Sequence, residues 1–146
     1  MNNPRKKTPA TRVQYAALPY RLSGTSGTEV MLVTSLDTKR WIIPKGWPMK
    51  RRTPRAAAAR EALEEAGVVG DVGKRPIGSY SYEKRLEGGE VVVCKVDVFA
   101  LEVKRQQKRW PEKGKREVQW LSPKEAAKTV QDPVLSDIIR AWQKRR

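Results

Sequence analysis

Three glutamates have a spacing that could support metal chemistry. Glu61, Glu64 and Glu65 stand at positions i, i+3 and i+4, which in an α-helix of about 3.6 residues per turn places them within an arc of about 100°. Carboxylate oxygens are hard ligands that suit Mg²⁺ or Mn²⁺, and one carboxylate could also activate a water molecule. The alternative is that these side chains only solvate a helix and pair with Arg60 or nearby lysines, and the glutamates taken alone favour that interpretation.

The sequence around the glutamates predicts the helix that this spacing requires. Thr53 followed by Pro54 is typical of an N-cap and a first helical turn. Residues 56–66 are rich in alanine, and Gly67 follows in the C-cap region. Four small or aliphatic residues fall on the arc opposite the glutamates: Ala59, Ala62, Leu63 and Ala66. We therefore expect an apolar face buried against a sheet and an acidic face turned outward.

The composition limits the classes of function. The length of 146 residues favours a single domain. The net charge of +15, from 31 Lys and Arg against 16 Asp and Glu, favours phosphorylated or polyanionic partners. Nucleic acid, anionic lipid and phosphorylated metabolites fit this charge about equally well. The absence of histidine from the sequence excludes Ser-His and Cys-His catalysis and imidazole ligands for zinc.

Cysteine content and hydropathy bear on location. Cys94 is the single cysteine, so the chain has no intramolecular disulfide and no multi-thiolate metal site. This favours a reducing, cytoplasmic location. No segment approaches the roughly 20 apolar residues of a membrane span, so we expect no membrane partner.

Apolar runs separated by turn residues predict a mixed sheet. The expected strands are residues 12–22, 30–33, 41–43, 68–72, 76–83, 91–103 and 118–121, with turns at 24–27 and 88–89 and a loop at 45–55. Helices are expected at 123–129, capped by Ser122, and at 134–144, opened by Pro133. These elements predict an α/β (α+β) fold with a single domain over residues 12–146, preceded by a flexible basic N-terminus over residues 1–11.

A longer pattern around the glutamates resembles the signature of the Nudix hydrolase family. Its matching positions are Gly46, Arg60-Glu61, Glu64-Glu65 and Gly67-Val68, in the order strand, loop, helix and loop. The family has a further glutamate where Arg52 stands here. The resemblance implies an α/β/α sandwich with a mixed sheet, and metal-dependent cleavage of a phosphoanhydride bond.

The resemblance also implies roles for individual residues. Glu61, Glu64 and Glu65 become ligands of Mg²⁺ or Mn²⁺, with one of them the candidate base. The main-chain carbonyl of Lys45 would complete the metal site, and Arg60 would hold the carboxylates in place. Arg52, a cation in place of a carboxylate, leaves the number of metal ions open.

Cations and an aromatic ring near the glycine predict a phosphate-binding loop. Arg40, Lys45 and Lys50 could clamp phosphates, and Trp47 beside Gly46 could meet a ligand ring. The alternative for each cation alone is solvated loop charge. Glu112 and Glu117 are candidates for a further carboxylate, since family members often supply one from this region.

Residues on both sides of the helix narrow the resemblance to one branch. Trp41, Arg116-Glu117 and Trp120 resemble the diphosphoinositol polyphosphate phosphohydrolase and dinucleoside polyphosphate hydrolase branch. The expected partner is therefore a phosphorylated small-molecule substrate of either kind, with nucleoside triphosphates and capped RNA as further candidates. The alternative from another class is a catalytically weakened Nudix-fold module that binds nucleic acid or nucleotide, motivated by the net charge and by Arg52. The oligomeric state is left open.

Overall fold

The structure is a computed structural model that describes residues 9–23 and 27–145. Within these residues the strands are β1 (Thr11–Ser23), β2 (Gly27–Thr34), β3 (Trp41–Ile42), β4 (Lys45–Gly46), β5 (Val68–Val72), β6 (Gly78–Arg85), β7 (Val91–Gln106) and β8 (Val118–Leu121). The helices are α1 (Pro54–Ala66), α2 (Pro123–Thr129) and α3 (Pro133–Arg145). The fold is therefore the predicted α+β arrangement.

The sheet is mixed because its central strand pair is parallel. β1 runs parallel to β7, from Thr11 opposite Val93 to Tyr20 opposite Glu102, whereas the other pairings are antiparallel. The strand order is β3-β2-β1-β7-β5, with β4 beside β1, β6 beside β7 and β8 beside β2. The short strand β4 thus joins the centre of the sheet just before the chain enters α1.

Alternating side chains give the sheet two different apolar faces. One face of the sheet packs on α1. The name α1 face is used here for this sheet surface together with the helix on it, and its apolar cluster includes Ala17, Val33 and Phe99 from the sheet and Ala58 and Ala62 from α1. The opposite face of the sheet packs on α2 and α3, and the sheet surface with these helices is called the α2/α3 face. Its apolar cluster includes Leu18 and Leu32 from the sheet and Leu135, Ile139 and Trp142 from α3. Helices on both faces produce the α/β/α layers that the resemblance implied.

The predicted caps of α1 are confirmed. The Thr53 hydroxyl accepts a hydrogen bond from the Ala56 N–H at 3.3 Å. Gly67 has a φ of 73°, a left-handed conformation that favours glycine at the end of a helix. The predicted buried face is wrong in part, because Ala57, Ala58, Ala62 and Ala66 are buried while Ala59 and Leu63 are only half-buried.

Several predicted boundaries also change. The predicted loop at 45–55 begins with β4, because Lys45 and Gly46 pair with Ala16 and Tyr15 of β1. β7 extends to Gln106, beyond the expected end at 103, because β5 pairs with it up to that residue. Residues 24–26 of the expected turn and residues 1–8 of the expected N-terminus lie outside the described residues, whereas Gly27 already begins β2 and Thr11 already begins β1. In the described ranges, no helix is long and apolar enough to cross a membrane.

Candidate active site

The glutamate face of α1 is enclosed, which corrects the outward orientation expected from the sequence. Glu61 is 8% exposed and Glu65 only 3%, and Glu64 is half-buried. The cause is tertiary, because β4 lies against one side of this face and the chain that follows β7 lies against the other. Helical spacing shows which side chains share a face, and it does not show what covers that face.

Gly46 lies directly against the carboxylate of Glu61. A Cβ atom built on Gly46 would be 1.4 Å from Oε2 of Glu61, far closer than non-bonded atoms approach. Only glycine therefore leaves room for the carboxylate in this position. The main chain of the neighbouring Lys45, the expected source of a carbonyl ligand, consequently runs beside the glutamate.

Two arginines hold the other carboxylates. Nε of Arg60 donates to Oε1 of Glu64 at 3.0 Å, which is the contact that the resemblance implied for Arg60. Nε of Arg116 donates to Oε1 of Glu112 at 2.8 Å, and its Nη1 lies 3.7 Å from Oε1 of Glu65. The Arg116 side chain is 10% exposed, so this cation is itself enclosed with the glutamates.

Burial and crowding shift the protonation of the site. Burial, together with the nearby charge of Glu64, raises the pKa of Glu61 to about 7. Burial raises the pKa of Glu65 to about 8, although Arg116 opposes that increase. Burial likewise lowers the pKa of Lys45, with Glu65 opposing the shift. Burial in this site therefore disfavours an unpaired charge of either sign, and the two glutamates ionise more readily when a cation accompanies them.

Only one of the two further acidic candidates joins the cluster. The Glu112 carboxylate accepts a hydrogen bond from Arg116, and its charge contributes to the raised pKa values of Glu61 and Glu65. The side chain of Glu117 is exposed, and its main-chain N–H donates to the Thr34 hydroxyl at 2.9 Å. Glu112 is therefore the additional carboxylate of the site.

The expected substrate-binding residues separate into two groups. Lys45 and Gly46 lie at the glutamate cluster, through β4. Arg40 and Lys50 are exposed at the surface, and Trp47 is 37% exposed. Arg52 is exposed as well. The structure thus brings the glycine and one lysine to the carboxylates, and it leaves the other residues available to solvent.

The structure adds polar residues that the sequence had not assigned to the site. Nζ of Lys45 lies 5.0 Å from the centre of the Tyr82 ring, and the Tyr82 hydroxyl donates to Oε1 of Gln14 at 2.6 Å. Gln14 is 4% exposed. Its position as a polar residue in a mostly apolar strand was the feature of the sequence that could have identified it.

A cavity of about 350 Å³ opens beside the enclosed arginine. It is lined by Thr34, Lys39, Gly114, Lys115, Arg116 and Glu117. Nη1 of Arg116 also donates to the main-chain oxygen of Thr34 at 2.9 Å, which fixes the guanidinium at this boundary. The cavity has more cationic than anionic side chains, so its chemistry suits a phosphate group.

The donor set fits a hard divalent cation. Its side-chain donors are carboxylate oxygens, which are the ligands that Mg²⁺ and Mn²⁺ prefer. Burial is the main cause of the raised pKa values of Glu61 and Glu65, and it disfavours their ionised forms unless a cation accompanies them. As the side chains stand, no three acidic or cysteine residues in the described part of the chain form a ready metal-binding group. In this arrangement Arg60 contacts the Glu64 carboxylate and Arg116 contacts the Glu65 and Glu112 carboxylates.

Curated relatives match this chain in sequence. Nudix hydrolase 12, mitochondrial, from Arabidopsis thaliana is 34% identical over 130 residues, covering 79% of this chain and 64% of the relative. Nudix hydrolase 13, mitochondrial, from the same plant is 37% identical over 103 residues, covering 67% of this chain and 51% of the relative. The chain therefore spans between about half and two thirds of the length of these relatives.

Solved structures share the fold. The C. elegans Ap4A hydrolase has a TM-score of 0.65 at 17% identity, with 92% of this chain and 97% of that chain covered. The MutT protein from Methanosarcina mazei has a TM-score of 0.66 at 17% identity, with 96% and 98% covered. The NUDIX domain family matches residues 14–142, which include every residue of the glutamate cluster. This chain belongs to the Nudix family.

Proposed function

We propose that this chain is a metal-dependent pyrophosphohydrolase that cleaves a phosphoanhydride bond in a nucleoside-diphosphate-linked or diphosphoinositol-type substrate. The observation that carries the proposal is the enclosed glutamate cluster, in which Glu61 and Glu65 are buried against Gly46 and Arg116. Burying carboxylates costs free energy, so a helix face with only a solvating role would remain in water. Membership of the Nudix family supports the same conclusion.

Four groups would hold Mg²⁺ or Mn²⁺: the side chains of Glu61, Glu64 and Glu65, and the main-chain carbonyl of Lys45. When bound, such an ion supplies charge stabilisation for the phosphate oxygens and helps to orient the substrate. Arg60 and Arg116 orient the carboxylates of Glu64 and Glu65. The absence of a side chain at Gly46 keeps the Glu61 carboxylate in reach of the main chain of β4.

The glutamates also provide the proton acceptor for the attacking water. As the water oxygen bonds to phosphorus, its proton passes to a glutamate, and the bridging oxygen leaves with the departing phosphate. In the metal-free chain the pKa values of Glu61 and Glu65 are raised to about 7 and about 8, and a bound cation would favour the ionised form that can accept a proton. Single glutamine variants of the three glutamates distinguish which one acts.

Several cations can bind the phosphates of the substrate. Lys39, Lys115 and Arg116 line the cavity beside the cluster, and Lys45 lies at the cluster itself. Arg40 and Lys50 are exposed cations available for outer phosphates, and the exposed ring of Trp47 is available to stack on a base. Substrates with many phosphates suit this surface, and the C. elegans structural neighbour is named an Ap4A hydrolase.

The test measures phosphate-product release from diadenosine polyphosphates, a diphosphoinositol polyphosphate, nucleoside triphosphates and capped RNA. Each is assayed with Mg²⁺, with Mn²⁺ and with a chelator. Glu64→Gln should abolish metal-dependent turnover, whereas the same change at the exposed Glu90, in the β6–β7 hairpin, should leave it intact. Absence of metal-dependent turnover on every substrate would refute the proposal.

The second candidate is a Nudix-fold module that binds nucleic acid or nucleotide with weakened catalysis. The observations that favour it are the net charge of +15 and Arg52 in place of the usual glutamate. RNA binding that weakens steeply with salt, without turnover, would support this candidate.

We further propose that residues 12–146 act as one domain and that the chain is cytoplasmic. The Arabidopsis relatives carry mitochondrial names. Fluorescence microscopy of a tagged full-length chain tests the location.

A further inference from the structure

The chain that follows β7 closes over the C-terminal turn of α1. Nε2 of Gln106 donates to the carbonyl of Ala66 at 3.3 Å, and the Gln107 N–H donates to the carbonyl of Gly67 at 2.7 Å. The Glu112 N–H donates to the carbonyl of Glu64 at 3.0 Å. Residues 106–112, called here the clasp, therefore bond to main-chain groups in the helical turn that carries Glu64 and Glu65, and to the glycine that ends it.

Trp110 is the side chain at the centre of the clasp. A Cβ atom built on Gly67 would lie 2.3 Å from Cδ2 of Trp110, so the indole rests directly on the main chain at the end of α1. The Nζ atom of Lys113 lies 5.1 Å from the centre of the Trp110 ring. The indole is therefore held between a lysine and the C-cap of the helix that carries the glutamates.

The indole nitrogen shows that this contact is made by the ring and not by its N–H. Nε1 of Trp110 is buried and has no hydrogen-bond partner among the described residues. A buried donor without an acceptor costs free energy. Tryptophan at this position consequently contributes through the shape of its ring.

We propose that Trp110 is a positioning residue, which holds the C-terminal turn of α1 so that Glu61, Glu64 and Glu65 converge as metal ligands. This inference rests on the proposed function. The clasp ends at Glu112, which accepts a hydrogen bond from Arg116, and Arg116 in turn pairs with Glu65 from the other side. Loss of the ring would leave the helix formed but would free its last turn to shift, and displacement of a catalytic group by about 1 Å can reduce a rate about 100-fold.

The experiment compares Trp110→Ala with Trp110→Phe and with Trp142→Ala in the full chain. Trp142 is a matched control, because it is also a tryptophan, is buried, and packs on the α2/α3 face. The measurements are Mn²⁺ affinity by calorimetry, kcat and KM, and amide hydrogen exchange at residues 64–67. Trp110→Leu serves as the test variant if Trp110→Ala does not fold.

The proposal gives a different result for each variant. Trp110→Ala should weaken Mn²⁺ binding by roughly 10-fold or more, lower kcat with little change in KM, and speed exchange at residues 64–67. Trp110→Phe should restore most of the affinity and kcat, because a ring remains and no hydrogen bond is lost. Trp142→Ala should lower the Tm and leave Mn²⁺ affinity unchanged.

Four results would overturn the inference. If Trp110→Ala binds Mn²⁺ like the natural chain, or if Trp142→Ala weakens binding equally, Trp110 has no special positioning role. Loss of function in Trp110→Phe equal to that in Trp110→Ala would also contradict it, since the N–H would then be the important group. A natural chain that neither binds Mn²⁺ nor turns over substrate refutes the proposed function and this inference together.

Discussion

The two faces of the sheet differ in the side chains that they bury. The α2/α3 face buries large side chains such as Leu135, Ile139 and Trp142, and such burial stabilises a fold by about 25 cal/mol per Å² of apolar surface. On the α1 face, sheet residues such as Phe99 and Leu101 meet the small alanines of α1, and two buried carboxylates, Glu61 and Glu65, lie on the same helix. The larger apolar cluster thus lies on the face opposite the proposed site of chemistry, so we expect a substitution on one face to affect stability and a substitution on the other to affect activity.

The largest expected effect is on catalysis and comes from the α1 face. Glu65→Gln should reduce kcat/KM by roughly 10²- to 10⁴-fold, because it removes a proposed metal ligand and candidate base. The free energy of unfolding measured without metal at about pH 8 should stay the same or rise, since a neutral amide relieves the cost of a buried carboxylate. Turnover assays and denaturant unfolding check both parts. A large loss of stability would show that Glu65 is structural.

The opposite result is expected on the α2/α3 face. Ile139 is fully buried in α3, and Ile139→Ala should reduce the free energy of unfolding by about 2–5 kcal/mol, because it creates a cavity in a packed core. The kcat of the folded protein should change little at temperatures well below the Tm. Urea unfolding and steady-state kinetics provide the measurements. A kcat that falls in proportion to stability would contradict the separation of the two faces.

Local signals in the sequence predicted the parts of the fold that depend on neighbouring residues. The helix α1 begins after Thr53 and ends before Gly67, as expected, and Ser122 caps α2, whose first and last residues are those predicted. These predictions succeeded because caps and proline positions act within one helical turn. They locate a helix in the sequence without showing where it packs.

The burial of the glutamate cluster could not be predicted from such local signals. Glu61 and Glu65 are buried because β4 and the distant Arg116 close over α1. The parallel pairing of β1 with β7 is equally non-local, since it joins Thr11 to Val93. Helical periodicity carries no information about such contacts, and the expected outward acidic face was therefore wrong.

The next effect is the pH dependence of stability on the α1 face. The folded-state pKa values of Glu61 and Glu65 are raised to about 7 and about 8, above the value of the unfolded chain. The stabilisation is therefore fully present below the unfolded pKa and is lost as pH rises through the folded values. Between about pH 5.5 and 8, the metal-free chain should lose up to about 5 kcal/mol of unfolding free energy, roughly 2 from Glu61 and roughly 3 from Glu65, since a change of one pKa unit is worth about 1.4 kcal/mol.

Mg²⁺ should reduce this loss, because the ion favours the ionised carboxylates and binds only the folded chain. Denaturant unfolding at a series of pH values, with chelator and with Mg²⁺, gives the measurement. Glu61→Gln serves as the control, since it removes one of the two groups and should make the dependence shallower. Stability that rises over this range without metal would show that the burial of these carboxylates has been misjudged.

The smallest expected effects come from two equivalent caps on opposite faces. The Thr53 hydroxyl caps α1 and the Ser122 hydroxyl caps α2, so Thr53→Ala and Ser122→Ala should each cost about 1 kcal/mol of stability. Only Thr53→Ala should also weaken Mn²⁺ affinity slightly, because α1 alone carries the glutamates. Thermal unfolding and calorimetry compare the two variants. The two lost hydrogen bonds are alike, so a difference in Mn²⁺ affinity between the variants must come from the face on which each helix lies. Equal losses of Mn²⁺ affinity would mean that the sheet does not isolate the glutamate cluster from α2.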